Sequence, residues 1–115
     1  MSNQPFEVTG RNGTRPGQYI VQPKGAISMS TRGALQEAVH AATGTSLIID
    51  LSEVPYIDSA ALGTLVQTYV SCQKSKRQLA LVGLTHRVSN VIKLSALDAL
   101  FQTYPTLPEA EEALK

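Results

Sequence analysis

The chain has 115 residues, 43% of them hydrophobic, and its ten Lys and Arg nearly cancel its nine Asp and Glu to leave a formal charge of +1. Charged residues make up only 17%, below the roughly 25% of an average soluble domain, which argues against a nucleic-acid surface built on bulk charge. One cysteine, Cys72, can form neither an internal disulfide nor a structural zinc site alone, and a chain without Trp is poorly equipped to stack single-stranded bases.

The length fits a single domain over residues 1–115. Met1 to Pro5 is polar, with no basic n-region and no apolar h-region, so no secretory leader is expected. No apolar run approaches the roughly 20 residues of a membrane span. A cytoplasmic domain without membrane insertion is the expectation.

Phe6 and Val8 alternate with polar neighbours and predict a weak first strand. Gly10 to Gly17 has loop composition, and Tyr19-Ile20-Val21 predicts a second strand, which Gly25-Ala26-Ile27 extends or ends; the two suggest an antiparallel hairpin. Ser30 or Thr31 can cap a helix with Leu35, Ala38, Val39 and Ala42 on one face and Gly44 as its stop. Leu47 to Leu51, apolar on both faces, fits a central strand covered by helices. A loop with Pro55 runs from Ser52 to Asp58. A helix then extends from Ser59 to about Lys76, with Leu62, Leu65, Val66, Tyr69 and Val70 as its apolar stripe.

Leu79 to Gly83 predicts another buried strand, and Thr85 a cap for a helix that buries Val88, Val91 and Ile92, with Leu94 as a further candidate. Leu100 to Tyr104 predicts a short last strand. Pro108 suits a first helical turn, with Glu109, Glu111 and Glu112 at its positive end. The order β-β-α-β-α-β-α-β-α, with right-handed parallel crossovers in its later part, predicts an α/β fold: a small mixed sheet, an N-terminal antiparallel strand pair and about four helices.

Few residues suggest chemistry. His40 and His86 lie in different segments with no ligand at metal spacing, so no metal is expected. Neither phosphate-loop fingerprint is present, and no cofactor is expected. Ser59 has no histidine near it in sequence, and no general base or nucleophile pair stands out, so the chain does not read as an enzyme. Lys74, Lys76 and Arg77 fit the negative end of a helix better than a docking patch. Asp50 ends a central strand as in an aspartyl-phosphate receiver, but the acidic pair and the Lys that a receiver needs are missing.

Asp58-Ser59 stands where a buried strand has led through a loop into a helix. As a cap, either side chain would satisfy a free backbone N–H. As a switch, a phosphate on Ser59 would add about −1.5 to −2 charges at a helix N-terminus. The helix would tolerate that charge; an acidic or apolar partner would not.

This stretch resembles the STAS family, in particular bacterial anti-sigma factor antagonists. The family's strand ending in Leu-Asp-Leu-Ser appears as Ile49-Asp50-Leu51-Ser52. Its apolar-apolar-Asp-Ser-Ser/Thr-Gly-Leu-Gly turn appears as Tyr56-Ile57-Asp58-Ser59-Ala60-Ala61-Leu62-Gly63. Similar order continues from about residue 17 to 114, with Gly25-Ala26-Ile27-Ser28 resembling Gly-x-Leu-Asp and Ser95-Ala96-Leu97 resembling Ser/Thr-Gly-Leu. The resemblance implies phosphorylation at Ser59 by a GHKL-type serine kinase that is itself the anti-sigma factor. It also implies reversal by a PP2C-type phosphatase, and release of a sigma factor by the unphosphorylated form. The implied partner surface comprises Ser28, Asp58, Ser59, Ala60, Ala61 and Leu62. Ser28 replaces the family's Asp, Ala60 and Ala61 replace a small polar residue and Gly, and Ala96 replaces Gly. Methyl groups at 60 and 61 would crowd a close partner. These departures leave open a second reading, a STAS accessory or scaffold subunit of a lipid-transport ABC transporter or a stress-sensing complex, without serine switching.

Overall fold

The computed structural model describes residues 6–114; the polar start Met1 to Pro5 lies outside them. Its elements are β1 (Glu7–Asn12), β2 (Gln18–Lys24), α1 (Arg32–Ala41), β3 (Ser46–Asp50), α2 (Ser59–Lys74), β4 (Gln78–Val82), α3 (His86–Leu94), β5 (Gln102–Tyr104) and α4 (Leu107–Ala113). The five strands form one sheet in the order β1-β2-β3-β4-β5. β1 is antiparallel to β2, and the later pairs are parallel. This is the predicted α/β architecture, with the predicted element order.

β3 fixes the layering, because all five of its residues are buried. Leu47 and Ile49 join Val21, Leu79 and Leu81 on one face, under Leu35 of α1, Ala61, Leu65 and Cys72 of α2, and Val88 and Ile92 of α3. Ile48 joins Ile20, Ala80 and Val82 on the other face, under Ala110 of α4 and Leu114. The period-2 alternation sends neighbouring side chains to opposite cores. A strand with no exposed face can exist only between two such layers.

Several local expectations are corrected. Gly10 to Asn12 belong to β1, paired with Val21, Ile20 and Tyr19, so the hairpin loop starts at Gly13; tertiary pairing overrides their loop-like composition. The last strand starts at Gln102, because the chain still turns at Leu100, whose N–H donates to the Leu97 carbonyl. The buried face of α2 is Ala61, Thr64, Leu65, Thr68 and Cys72, so of the predicted stripe only Leu65 is fully buried. Thr64 and Thr68 can be buried because their hydroxyls donate to the Ala60 and Thr64 carbonyls one turn back. Leu62, Val66 and Tyr69 pack at the margin of this core, while Val70 is 42% and Leu94 88% exposed.

The helix ends also differ from expectation. Thr31 and Thr85 precede α1 and α3, but neither side chain caps its helix. The Thr85 hydroxyl donates to the Val54 carbonyl instead. Glu109 sits in the first turn of α4, whereas Glu111 accepts the Thr14 N–H at 2.6 Å and Glu112 pairs with Arg15, so two of the three acids tie α4 to the hairpin loop. Arg77 donates to the Gly44 and Thr43 carbonyls, which places the basic cluster's third member in the scaffold. Gly44 has φ +95, and a Cβ there would lie 2.3 Å from the Gly17 carbonyl oxygen.

α3 ends with Ala96 at φ +59, its N–H and that of Leu97 donating to the Lys93 and Ile92 carbonyls. This is the left-handed helix ending that glycine ordinarily supplies. Ala96→Gly should therefore raise stability by about 0.5–1 kcal/mol, the relief of left-handed strain less glycine's extra unfolded-state entropy. Urea unfolding of the two proteins checks it; an unchanged or lower midpoint would contradict the backbone assignment.

Candidate functional site

The parallel sheet delivers the chain twice to the same end. After β2 it turns at Gly25, and after β3 it passes through Ser52 to Asp58. The two segments run together: Gly25 N–H donates to Glu53 C=O, Ile27 N–H to Tyr56 C=O, and Asp58 N–H to Ile27 C=O. Ile27 and Ile57 form a parallel bridge, and both side chains are buried. Two apolar residues thus pin the loops from beneath, while Ser28 to Ser30 and Asp58 to Ser59 emerge above.

Asp58 is the N-cap of α2. Its Oδ1 accepts the Ala61 N–H at 2.9 Å and its Oδ2 accepts the Met29 N–H at 3.0 Å. One carboxylate therefore holds the start of α2 and the turn before α1. The Ala61 N–H above all, helped by those of Met29 and Ala60 and opposed by desolvation, holds its carboxyl below the ordinary value of 3.8. Of the two roles the sequence offers this pair, capping falls to the aspartate. Ser59 is exposed at the first helical position, and none of the described residues hydrogen-bonds its hydroxyl.

The other candidates divide. Ser28 is half-buried, its N–H donating to Thr31 Oγ1 and its hydroxyl 3.0 Å from that of Ser30. The Thr31 hydroxyl accepts that N–H and donates to the Ala26 carbonyl, so it is engaged with the preceding turn and does not accept from α1. Ala60 and Leu62 are half-buried. Ala61 is fully buried, so its methyl enters the core and only its N–H serves the site. The expected crowding by two methyl groups is thereby halved, because successive positions on a helix point in directions about 100° apart.

Met29 carries no signal in its residue type, yet it supplies a backbone donor to Asp58 and is 67% exposed. Tyr56, just before the bridge, is 37% exposed with the Arg87 guanidinium 5.0 Å from its ring centre. Beyond Ser59, Leu62, Val66 and Val70 continue along α2 at offsets of three, seven and eleven, an apolar strip that runs from the half-buried margin of the core at Leu62 and Val66 to the exposed Val70. Asp50 is buried, accepting from Gln22 Nε2 at 3.2 Å and the Ser52 N–H at 3.0 Å, so it is a satisfied structural carboxylate. His40 and His86 are exposed on separate helices, and no three His, Cys, Asp or Glu among the described residues come together to hold a metal ion. No described helix is long and apolar enough to cross a membrane.

A family model described as STAS domain matches residues 6–110. The anti-sigma-B factor antagonist of Listeria monocytogenes is 31% identical over 81 residues, covering 68% of this chain and 71% of that protein. A relative from Thermotoga maritima is 35% identical over 69 residues, and the match spans 60% of this chain and 61% of that protein. Among solved structures, an anti-sigma factor antagonist from Mycobacterium paratuberculosis superposes with a TM-score of 0.87 at 29% identity, over 98% of this chain and 97% of that one.

The Asp58 cap makes a signed pH prediction. A carboxyl with a lowered folded-state value adds stability above its unfolded value, and loses it as pH falls through the folded one. Asp58 should titrate below 3.8 by carboxyl-carbon NMR. Asp58→Asn should be less stable than wild type at neutral pH, and the difference should shrink as pH falls from above the ordinary carboxyl value through the lowered folded one. A titration midpoint at or above 3.8 would contradict the double hydrogen bond.

Proposed function

Because the chain belongs to the STAS domain family, we propose that it is an anti-sigma factor antagonist acting in the cytoplasm as one STAS domain over residues 1–115. It is a binding module, not a catalyst. In its unmodified form it binds an anti-sigma factor and so releases a sigma factor for transcription. The partner is a serine kinase of GHKL type, and a PP2C-type phosphatase acts on the phosphorylated form. The observation that carries this reading is the division of labour at the start of α2. Asp58 is locked by two backbone amides, and Ser59 beside it is exposed with a hydroxyl that no described residue engages.

The proposed contact surface comprises Ser28, Asp58, Ser59, Ala60 and Leu62, continued by Met29 and by Val66 and Val70 on α2. Ala61 is excluded from it by its burial. In the switching step the Ser59 hydroxyl attacks the γ-phosphorus of ATP. The Oγ–P bond forms, the bond to the β-phosphate oxygen breaks, the hydroxyl proton is released and ADP leaves. The product places about −1.5 to −2 charges beside a carboxylate that is already ionised at neutral pH. The Ala61 N–H, which could have met the phosphate, is already taken by Asp58. The new charge is therefore imperfectly neutralised by α2, and an apolar or acidic partner surface must desolvate or oppose it.

Ser59→Ala should abolish labelling by the cognate kinase while retaining binding. Ser59→Asp should weaken binding by about 1–2 kcal/mol or more, a five- to thirtyfold rise in Kd. Radiolabel incorporation and calorimetric titration measure the two effects. Wild-type labelling of Ser59→Ala would move the site elsewhere, and an unchanged Kd for Ser59→Asp would remove the switch.

A further inference from the structure

We infer that the open edge of β1 is a self-association surface whose occupant is a second copy of this chain, paired antiparallel about Thr9. β1 is an outermost strand of the sheet. The direction of its backbone groups follows from the register. Gly13 N–H donates to the Gln18 carbonyl at 2.8 Å, one step beyond the Asn12–Tyr19 pair. Mutually bonded pairs recur at every second residue of an antiparallel ladder, so Arg11–Ile20, Thr9–Gln22 and Glu7–Lys24 are the bonded ones. Pro23, which has no N–H, accordingly stands opposite Val8 in a pair that needs none. The N–H and C=O of Val8, Gly10 and Asn12 therefore point away from β2 into the open edge.

Such an edge is a template for another strand unless side chains oppose it. A single sign of charge would repel a second copy. Here Glu7 and Arg11 are both exposed and stand two residues either side of Thr9. With Thr9 opposite Thr9, Val8 of each copy forms a bonded pair with Gly10 of the other. Glu7 of each copy then faces Arg11 of the other, and directly opposed unlike charges attract across a ladder. Sliding the copies by two residues puts Arg11 against Thr9 and Glu7 against Gly13, which loses both attractions. The charges thus select one register. The pairing is two-fold symmetric and closed, which limits it to a dimer. Glu7, Thr9 and Arg11 share the sheet face of Ile20, where α4 packs over β4 and β5 and leaves β1 open.

Sedimentation velocity on the full chain should show a concentration-dependent dimer. Arg11→Glu should raise its dissociation constant by about tenfold or more, and Glu7→Arg combined with Arg11→Glu should restore it. Because these side chains are exposed, the variants should keep the wild-type circular dichroism spectrum. Amide exchange at Val8, Gly10 and Asn12 should slow as concentration rises. A chain that stays monomeric to millimolar concentration, a dimer indifferent to Arg11→Glu, a double variant that fails to recover, or edge amides insensitive to concentration would each overturn the assignment.

Discussion

The complete burial of β3 is the constraint from which the rest of the molecule follows. A strand that hides both faces needs a helical layer on each, and parallel neighbours on both sides fill its hydrogen bonds. Parallel neighbours require crossovers, so the chain returns to the same sheet end after each strand. At that end the segments following β2 and β3 meet. The Ile27–Ile57 bridge continues the parallel pairing after the ladder has stopped, and it brings two turns together whose sequences are about thirty residues apart. The site is thus a consequence of topology before it is a set of side chains.

Asp58 converts that proximity into a fixed geometry. A neutral cap could satisfy one N–H of α2; a carboxylate has a second oxygen, and here it reaches Met29 across the gap. Hydrogen bonds to an ionised acceptor are stronger than neutral ones, and both donors are backbone groups whose positions the loops already set. The result is an exposed serine on a rigid frame. A modification at Ser59 would therefore change surface charge without having to rearrange the backbone beneath it, as the proposed switch requires.

How much of this the sequence disclosed depended on how local each feature was. β3, β4 and the start of α2 were legible, because a dense aliphatic run and an Asp-Ser boundary carry their meaning within a few residues. On the inward face of α2 the sequence shows Leu65 but not Thr64 or Thr68, since hydropathy ranks Val70 above Thr68, whereas the helix can hide a hydroxyl on its own carbonyl and cannot hide a side chain that points at solvent. Gly10 to Asn12 resembled a loop because only pairing with β2 makes them a strand. Glu111 and Glu112 suggested a helix dipole, and their partners near Thr14 lie almost a hundred residues away. Met29 carried no signal at all, because its contribution is a main-chain N–H that any residue but proline would offer.

The departures from the family pattern now take on separate meanings. Ala61 points its methyl into the core, so the loss of a glycine there stiffens the start of α2 without narrowing the approach to Ser59. Ala96 occupies a left-handed position and brings strain at the far end of α3. Ser28 is the change with electrostatic consequence. Where the family pattern has an acid beside the proposed switch, this chain has a hydroxyl hydrogen-bonded within its own turn, leaving Asp58 as the carboxylate bound into that junction. In the proposed switch each like charge beside a phosphate would add to the repulsion felt by an approaching partner, so removing one would leave more of the discrimination to the pair Asp58 and Ser59. A junction built this way depends on its cap twice, once for geometry and once for charge.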